Sequence, residues 1–329
     1  MARNPDIPIL ETATLPAWMQ AARRPFHADM FAMFSSEYGG IVTDPLLMNV
    51  PVDDHLVHRG DGVFETLKCV QGRLYCYREH LERLYFSAEK IDLTPPYSPE
   101  ETSRRIMATI RAGNRRDALI RVIFSRGPGS MGINPYDCPL AYLYVLVHAP
   151  AKPFMETHPG GARLVTSGIP VKSGVFANIK TCNYLPNALL KKEAVDNHAD
   201  FAVNFDENGN LAEGATENIG IVTPDNLLMI PDPARILAGT TMKRVFDLAD
   251  AGITNGWLAG KRTTSITRSM LLNAAEILIF GTTTNVTSVT NLDGKSVGTG
   301  EPGPIFRELN RLIQRDLSSD GPQNIHAFA

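Results

Sequence analysis

The chain has 329 residues, 43% of them apolar and 20% charged, with a formal net charge of −3. That length admits two domains, or one large one, with a sizeable core. The near-neutral balance gives no electrostatic reason for a nucleic acid or an anionic membrane as partner. No apolar run is long enough to span a bilayer. The N-terminal stretch has no cationic region followed by an apolar core, so a signal peptide is not expected. Cys69, Cys76, Cys138 and Cys182 form no CxxC pair, which argues against a zinc site or a disulfide framework and favours a reducing cytoplasm.

Residues 1–35 are rich in Pro, Ala and Arg, with weak periodicity, and read as an extension. Residues 62–70 (GVFETLKCV) predict a strand, 71–72 a turn and 73–77 the return strand. Leu81, Leu84, Tyr85, Ala88 and Ile91 repeat at helical spacing. A second helix is predicted over 98–113, opened by Ser98 with acids in its first turn and stopped at Gly113. Strands are predicted at 118–125 and 140–149. The Pro- and Gly-rich segment 150–161 marks a boundary, which divides the chain into the extension, a small domain (36–155) and a large one (156–329).

The second half opens with a strand over 162–168, then a helix at about 185–198 with Asn183 as its cap. Residues 200–205, the turn DENGN and residues 217–222 read as an antiparallel group, followed by a strand over 226–231. A helix over 238–252 starts near Thr240, and 275–281 is a buried strand that ends in Thr282, Thr283 and Thr284. Many strand connections are too short for crossover helices, which favours an α+β fold in two domains over a doubly wound one.

Three features carry chemistry. Lys180 ends an apolar segment, where lost hydration lowers a lysine's pKa and makes it a competent amine nucleophile; the alternative is a lysine that snorkels to solvent. Glu213, in EGATEN, reads as a carboxylate in a tight turn. AGTT (238–241) and GTTT (281–284) end two segments in hydroxyls. Helix N-termini bind anions, so the pair suggests a phosphate held from two sides. A nucleophilic lysine, a carboxylate and a phosphate cradle, without a metal cluster, are the parts of a pyridoxal phosphate site. Neither GxxxxGK[ST] nor a GxGxxG after a strand is present.

HRGDGVFETLK (58–68), REHLERLYFSAEKI (78–91), IKTCNYLPNALLKKEA (179–194), NGNLAEGATENIGIV (208–222), ILAGTTMKRV (236–245) and ILIFGTTTNVTSV (277–289) stand in the order found in class IV aminotransferases. The chain resembles that family over roughly 36–315, in particular its D-amino acid transaminases, branched-chain aminotransferases and 4-amino-4-deoxychorismate lyases. The resemblance implies a fold-type IV pyridoxal 5'-phosphate enzyme of the D-amino acid aminotransferase kind. It implies that Lys180 forms the Schiff base and that Glu213 pairs with the pyridine nitrogen. It further implies that Arg83, Thr240, Thr241 and Thr282 hold the phosphate. By periodicity alone, Arg83 would sit on a solvated face. Tyr184 is implied near the cofactor's phenolic oxygen, Thr283 at the substrate carboxylate and Phe64 in the pocket wall. A homodimer with its site near the subunit interface is implied as well.

Arg121 and Arg126 both suit a substrate carboxylate. Their odd spacing points them to opposite faces of a regular strand, so only one can face a given pocket. The expected activity is transamination between an amino acid, of D or branched-chain type, and a 2-keto acid. The alternatives are a lyase that releases pyruvate and 4-aminobenzoate from aminodeoxychorismate and a catalytically silent ligand-binding homologue.

Overall fold

The computed structural model describes residues 10–172 and 174–328. Two sheets organise them. The first runs Asn324–His326, Arg73–Tyr75, Gly62–Val70, Ala118–Ser125, Tyr142–His148, Met30–Ser35 and Gly40–Val42, with each neighbour antiparallel. Helices Tyr77–Glu89 and Pro99–Gly113 are amphipathic and cover one face. Leu67, Leu84, Ile106, Ile110, Ile120, Val122 and Val145 meet in the core between them. The Pro99–Gly113 helix starts in a capping box: Ser98 Oγ accepts from Glu101 N, and Glu101 reaches back to Ser98 N.

The extension expected over 1–35 is corrected at its end. Met30–Ser35 is an inner strand of this sheet, with Ala32, Met33 and Phe34 buried. Its five apolar residues, Met30–Phe34, were obscured by the Pro-, Ala- and Arg-rich stretch that precedes them.

The second sheet runs Gly260–Thr263, Leu227–Ile230, Asn218–Val222, Glu276–Gly281, Asn285–Leu292, Ala162–Thr166, Phe201–Phe205 and Leu211–Gly214. A further pairing of Asn218 with Glu213 joins Leu211–Gly214 back to Asn218–Val222, so the strands between them close on themselves. Such closure leaves no open edge on that ring. The expected antiparallel group is present, with Leu211–Gly214 pairing antiparallel to both Phe201–Phe205 and Asn218–Val222, whereas Ala162–Thr166 pairs in parallel with both Asn285–Leu292 and Phe201–Phe205.

Ile219, Ile221, Ile277, Ile279 and Val289 belong to one core of this sheet. Leu278 and Phe280 face the other way, into a core with Met242, Val245, Leu309 and Ile313. Burial on both faces explains the unbroken apolar run 277–280 within Glu276–Gly281. The helix Pro304–Ser318 docks there. Buried Glu276 accepts from Ile305 N and Phe306 N, each at 2.8 Å, which satisfies two free donors of the helix start.

The two halves are stitched together where the site forms. The short strand Arg73–Tyr75 pairs with only the far end of Gly62–Val70 and leaves its near edge open. The Lys180 segment fills that edge: Phe64 N donates to Lys180 O at 2.9 Å, and Cys182 N donates to Gly62 O at 2.9 Å.

Candidate active site

Gly62–Val70 presents alternate residues to opposite sides. Phe64 and Thr66 line a cavity of about 340 Å³. Glu65 points to the Tyr77–Glu89 helix and is 1% exposed. Its Oε1 accepts from Arg83 Nε at 2.6 Å, and its Oε2 accepts from Arg83 Nη2 at 2.8 Å and His80 Nδ1 at 2.7 Å. Burial alone would raise the Glu65 carboxyl; against it, Arg83 and His80 hold the group well below the usual carboxylate range. Burial pushes the His80 imidazole down, so it is neutral at pH 7. An ionised Glu65 only accepts, so Nδ1 carries the proton and Nε2 accepts from Thr240 Oγ1 across 3.1 Å.

The third Arg83 nitrogen, Nη1, donates to Ala238 O at 2.8 Å. Arg83 is thus not the solvated residue its spacing suggests. The guanidinium reaches the cavity at the start of the helix Thr240–Leu248. Thr240–Leu248 has Gly239 at its N-cap and no side-chain cap, so its first N–H groups stay free toward the cavity. A Cβ on Gly239 would overlap Asn218 Oδ1. Asn218 donates through Nδ2 to Leu237 O at 2.8 Å and fixes the approach to the helix. Thr282 and Thr283 close the same cavity from the hairpin after Glu276–Gly281.

Lys180 lies in the cavity wall and is 9% exposed. Its Nζ donates to Tyr184 Oη at 3.1 Å and sits 4.7 Å from the centre of the Phe64 ring. Burial, aided by Arg83, lowers its pKa to about 8, against the pull of Glu65 and Glu213. About a tenth of this lysine is therefore free amine at pH 7. Tyr184 occupies the N-cap position of Leu185–Asp196. Asn183, the expected cap, instead donates to Gly60 O at 3.1 Å.

Glu213 is on strand Leu211–Gly214 rather than in a turn. It lines a small neighbouring cavity with Lys172 and Asn187, and its Oε2 accepts from Leu237 N at 3.2 Å. Burial pushes its carboxyl up to about 7, opposed by the Leu237 N–H and by Lys172. Leu237 also lines the main cavity, so one residue links the two.

The two arginines part as the strand alternation requires. Arg121 opens into the cavity 5.4 Å from the Phe64 ring, and it has no hydrogen-bond partner among the described residues. Arg126 is turned away and fully engaged. It makes a two-pronged contact with Asp61 at 3.1 Å and donates to Ile91 O and Asp92 O. Burial pushes the Cys182 thiol up to about 12, as befits a packed thiol.

The geometry thus gathers Phe64, Arg83, Arg121, Lys180, Tyr184, Thr240, Thr241, Thr282 and Thr283 around one cavity, sets Glu213 behind it and leaves Arg126 outside. Sequence reasoning missed Glu65, His80 and Asn218. The only signal for Glu65 was an acid inside the predicted strand 62–70, beside Thr66 and Lys68.

The family model for amino-transferase class IV matches residues 62–292. A chloroplastic D-amino-acid transaminase of Arabidopsis thaliana is 33% identical over 98% of this chain and 85% of its own. A putative branched-chain-amino-acid aminotransferase of Methanocaldococcus jannaschii is 31% identical over 80% of this chain and 90% of its own. The structure of a T.th. branched-chain amino acid aminotransferase with pyridoxamine 5'-phosphate superposes with a TM-score of 0.83 at 26% identity, over 91% of this chain and 99% of that one. The chain belongs to the class IV aminotransferases.

Proposed function

We propose that this enzyme moves an amino group between an amino acid and a 2-keto acid with pyridoxal 5'-phosphate as cofactor, and that Lys180 is the residue that holds the cofactor and moves the proton. The observation that carries the reading is a buried lysine, its pKa drawn to about 8, in one cavity with an uncapped helix start and a phosphate-sized set of donors. The donor set fits the cofactor. Thr240, Thr241, Thr282 and Arg83 suit its phosphate, Tyr184 suits its phenolic oxygen, and Glu213 suits its ring nitrogen. The neighbour solved with pyridoxamine 5'-phosphate supports the same choice.

Bound there, pyridoxal phosphate supplies an electron sink and a carrier for the amino group. The chain's part is to bind, orient and transfer protons. Lys180 Nζ, once free, takes the proton from the substrate α-carbon and returns it on the other side of the reaction, as general base and then acid. Tyr184 Oη, 3.1 Å from that nitrogen, orients it. Glu213 offers a carboxyl poised near neutrality, able to share a proton with a ring nitrogen. Arg121 and Thr283 receive the substrate's carboxylate chemistry, and Phe64 forms the apolar wall.

A dimer is part of this reading. Val52, Ile133, Tyr136 and Leu140 are large apolar side chains in the open, with Tyr136 91% exposed, and a partner subunit would cover them. Among the described residues no helix is long and apolar enough to cross a membrane. The four free cysteines support a reducing, cytoplasmic setting.

The test is a half-reaction. An amino donor given without keto acid should bleach the yellow holoenzyme, and 2-oxoglutarate or pyruvate should restore the colour. Parallel panels of D- and L-alanine, glutamate and leucine identify the hand and side chain accepted. If no donor bleaches the enzyme while aminodeoxychorismate yields pyruvate and 4-aminobenzoate, the transaminase reading fails.

A further inference from the structure

A second lysine, on the Gly62–Val70 strand, is buried and bonded where the reaction gives it no part. Lys68 is 8% exposed, on the same side of the strand as Phe64 and Thr66. Its Nζ donates to Asn285 Oδ1 at 2.5 Å. Asn285 is 4% exposed and belongs to the other sheet. It pairs with Gly281 and closes the hairpin whose tip carries Thr282 and Thr283 into the cavity. Its backbone is left-handed, with φ of 58°, a conformation that asparagine tolerates better than most residues. The hairpin tip is otherwise weakly tied: Thr284 Oγ1 is buried without a partner, and Thr287 Oγ1 reaches Thr284 O only at 3.4 Å.

We infer that Lys68 is a positioning residue, a strut from the first sheet that sets the Thr282–Thr283 corner at the height where a substrate carboxylate is received. The inference rests on the proposed role of Thr283. A charged donor on a buried amide is among the stronger hydrogen bonds, and a long lysine stem spans the gap between two sheets without a backbone link. Burial draws the Lys68 ammonium down to about 8, with Glu156 of the short helix Phe154–Thr157 pulling the other way, so the donor is charged at pH 7. Lys68 itself does not line the cavity. Its effect on substrate must therefore pass through the hairpin.

The test uses purified holoenzyme, the amino donor identified by the half-reaction, and pentanoate, a carboxylate without an amine, as competitive inhibitor. Lys68→Met keeps the stem and removes the charge. It should raise KM for the donor and the inhibition constant of pentanoate about tenfold each, the loss of one charge-assisted hydrogen bond, with kcat held within about twofold. Asn285→Ala should do the same from the other end. The double variant should be no worse than either single, since both break one contact, and Lys68→Arg should restore most of the loss.

Unchanged KM and inhibition in Lys68→Met and Asn285→Ala would overturn the inference, as would a fall in kcat and Tm with KM untouched, which marks a merely structural lysine. So would a double variant whose loss is the product of the singles. Thr283→Pro, which removes both hydroxyl and N–H, separates the two levels. If it too leaves pentanoate unaffected, the carboxylate role of Thr283 is wrong; if it weakens pentanoate while Lys68→Met does not, only the strut is wrong.

Discussion

Replacing Glu65 by Gln removes a charge that the site depends on and that touches no substrate. Glu65 takes three hydrogen bonds, two from Arg83 and one from His80. Gln keeps the shape but swaps one carboxylate oxygen for an NH2 group. Whichever way the amide turns, a donor then faces Arg83 Nε, or else Arg83 Nη2 and His80 Nδ1. The Arg83 guanidinium, 12% exposed, is left without its counter-charge. Breaking one side of a buried pair costs about 3–5 kcal/mol. Urea unfolding of the cofactor-free chain at pH 7 should show a loss of that order.

The loss must also depend on pH. The fold holds the Glu65 carboxyl below its ordinary value of 4.5. Its stabilisation is therefore present in full above that value and is lost as pH falls. At pH 3.5, about one pKa unit lower, the gap between wild type and Glu65→Gln should narrow by about 1.4 kcal/mol. A gap under about 1 kcal/mol at pH 7, or one equal at both pH values, would refute the argument.

Glu213→Gln should slow donor turnover by about 10²–10⁴-fold with cofactor still bound. In the cofactor-free chain it should stabilise at pH 8. A carboxyl raised from 4.5 to about 7 favours the fold below 4.5, and that contribution is lost as pH climbs through 7. The neutral amide avoids the resulting cost of at most about 3 kcal/mol, which unfolding curves at pH 5 and pH 8 will show as a pH-dependent difference. Arg121→Ala should raise KM for acids with little change in Tm, whereas Arg126→Ala, which empties the contacts to Asp61, Ile91 O and Asp92 O, should lower Tm with KM unchanged. Steady-state kinetics and a thermal melt on the two variants distinguish these outcomes.

Strands with strong alternation or unbroken apolar runs were legible. Residues 62–70 and 118–125 were bounded as the structure has them, and the helix over 98–113 announced itself by its cap. Asn324–His326 was not, because it is short and pairs only with Arg73–Tyr75, distant in sequence; Met30–Ser35 was not, because it was read together with the Pro-, Ala- and Arg-rich residues before it. Pro304–Ser318 went unread although Ile305, Leu309, Ile313 and Leu317 recur every four residues, a pattern visible in the sequence itself.

In the site, Lys180 was marked by its apolar setting. Arg83 was readable only through family likeness, because helical spacing cannot report the Glu65 carboxylate and the Ala238 carbonyl that receive its guanidinium. His80 and Asn218 carry no local signal, and Glu65 only that of an acid inside a predicted strand. Their roles come from contacts with Arg83, Thr240 and Leu237, each made across the fold.

Among the described residues, three lysines have a pKa lowered by burial: Lys68, Lys172 and Lys180. Of the three, Lys180 alone lines the cavity with the uncapped helix start. Borohydride reduction of the yellow holoenzyme followed by peptide mapping reads the assignment directly. The account predicts a pyridoxyl label on Lys180 alone; a label on Lys68 or Lys172, with Lys180 unmodified, would contradict it.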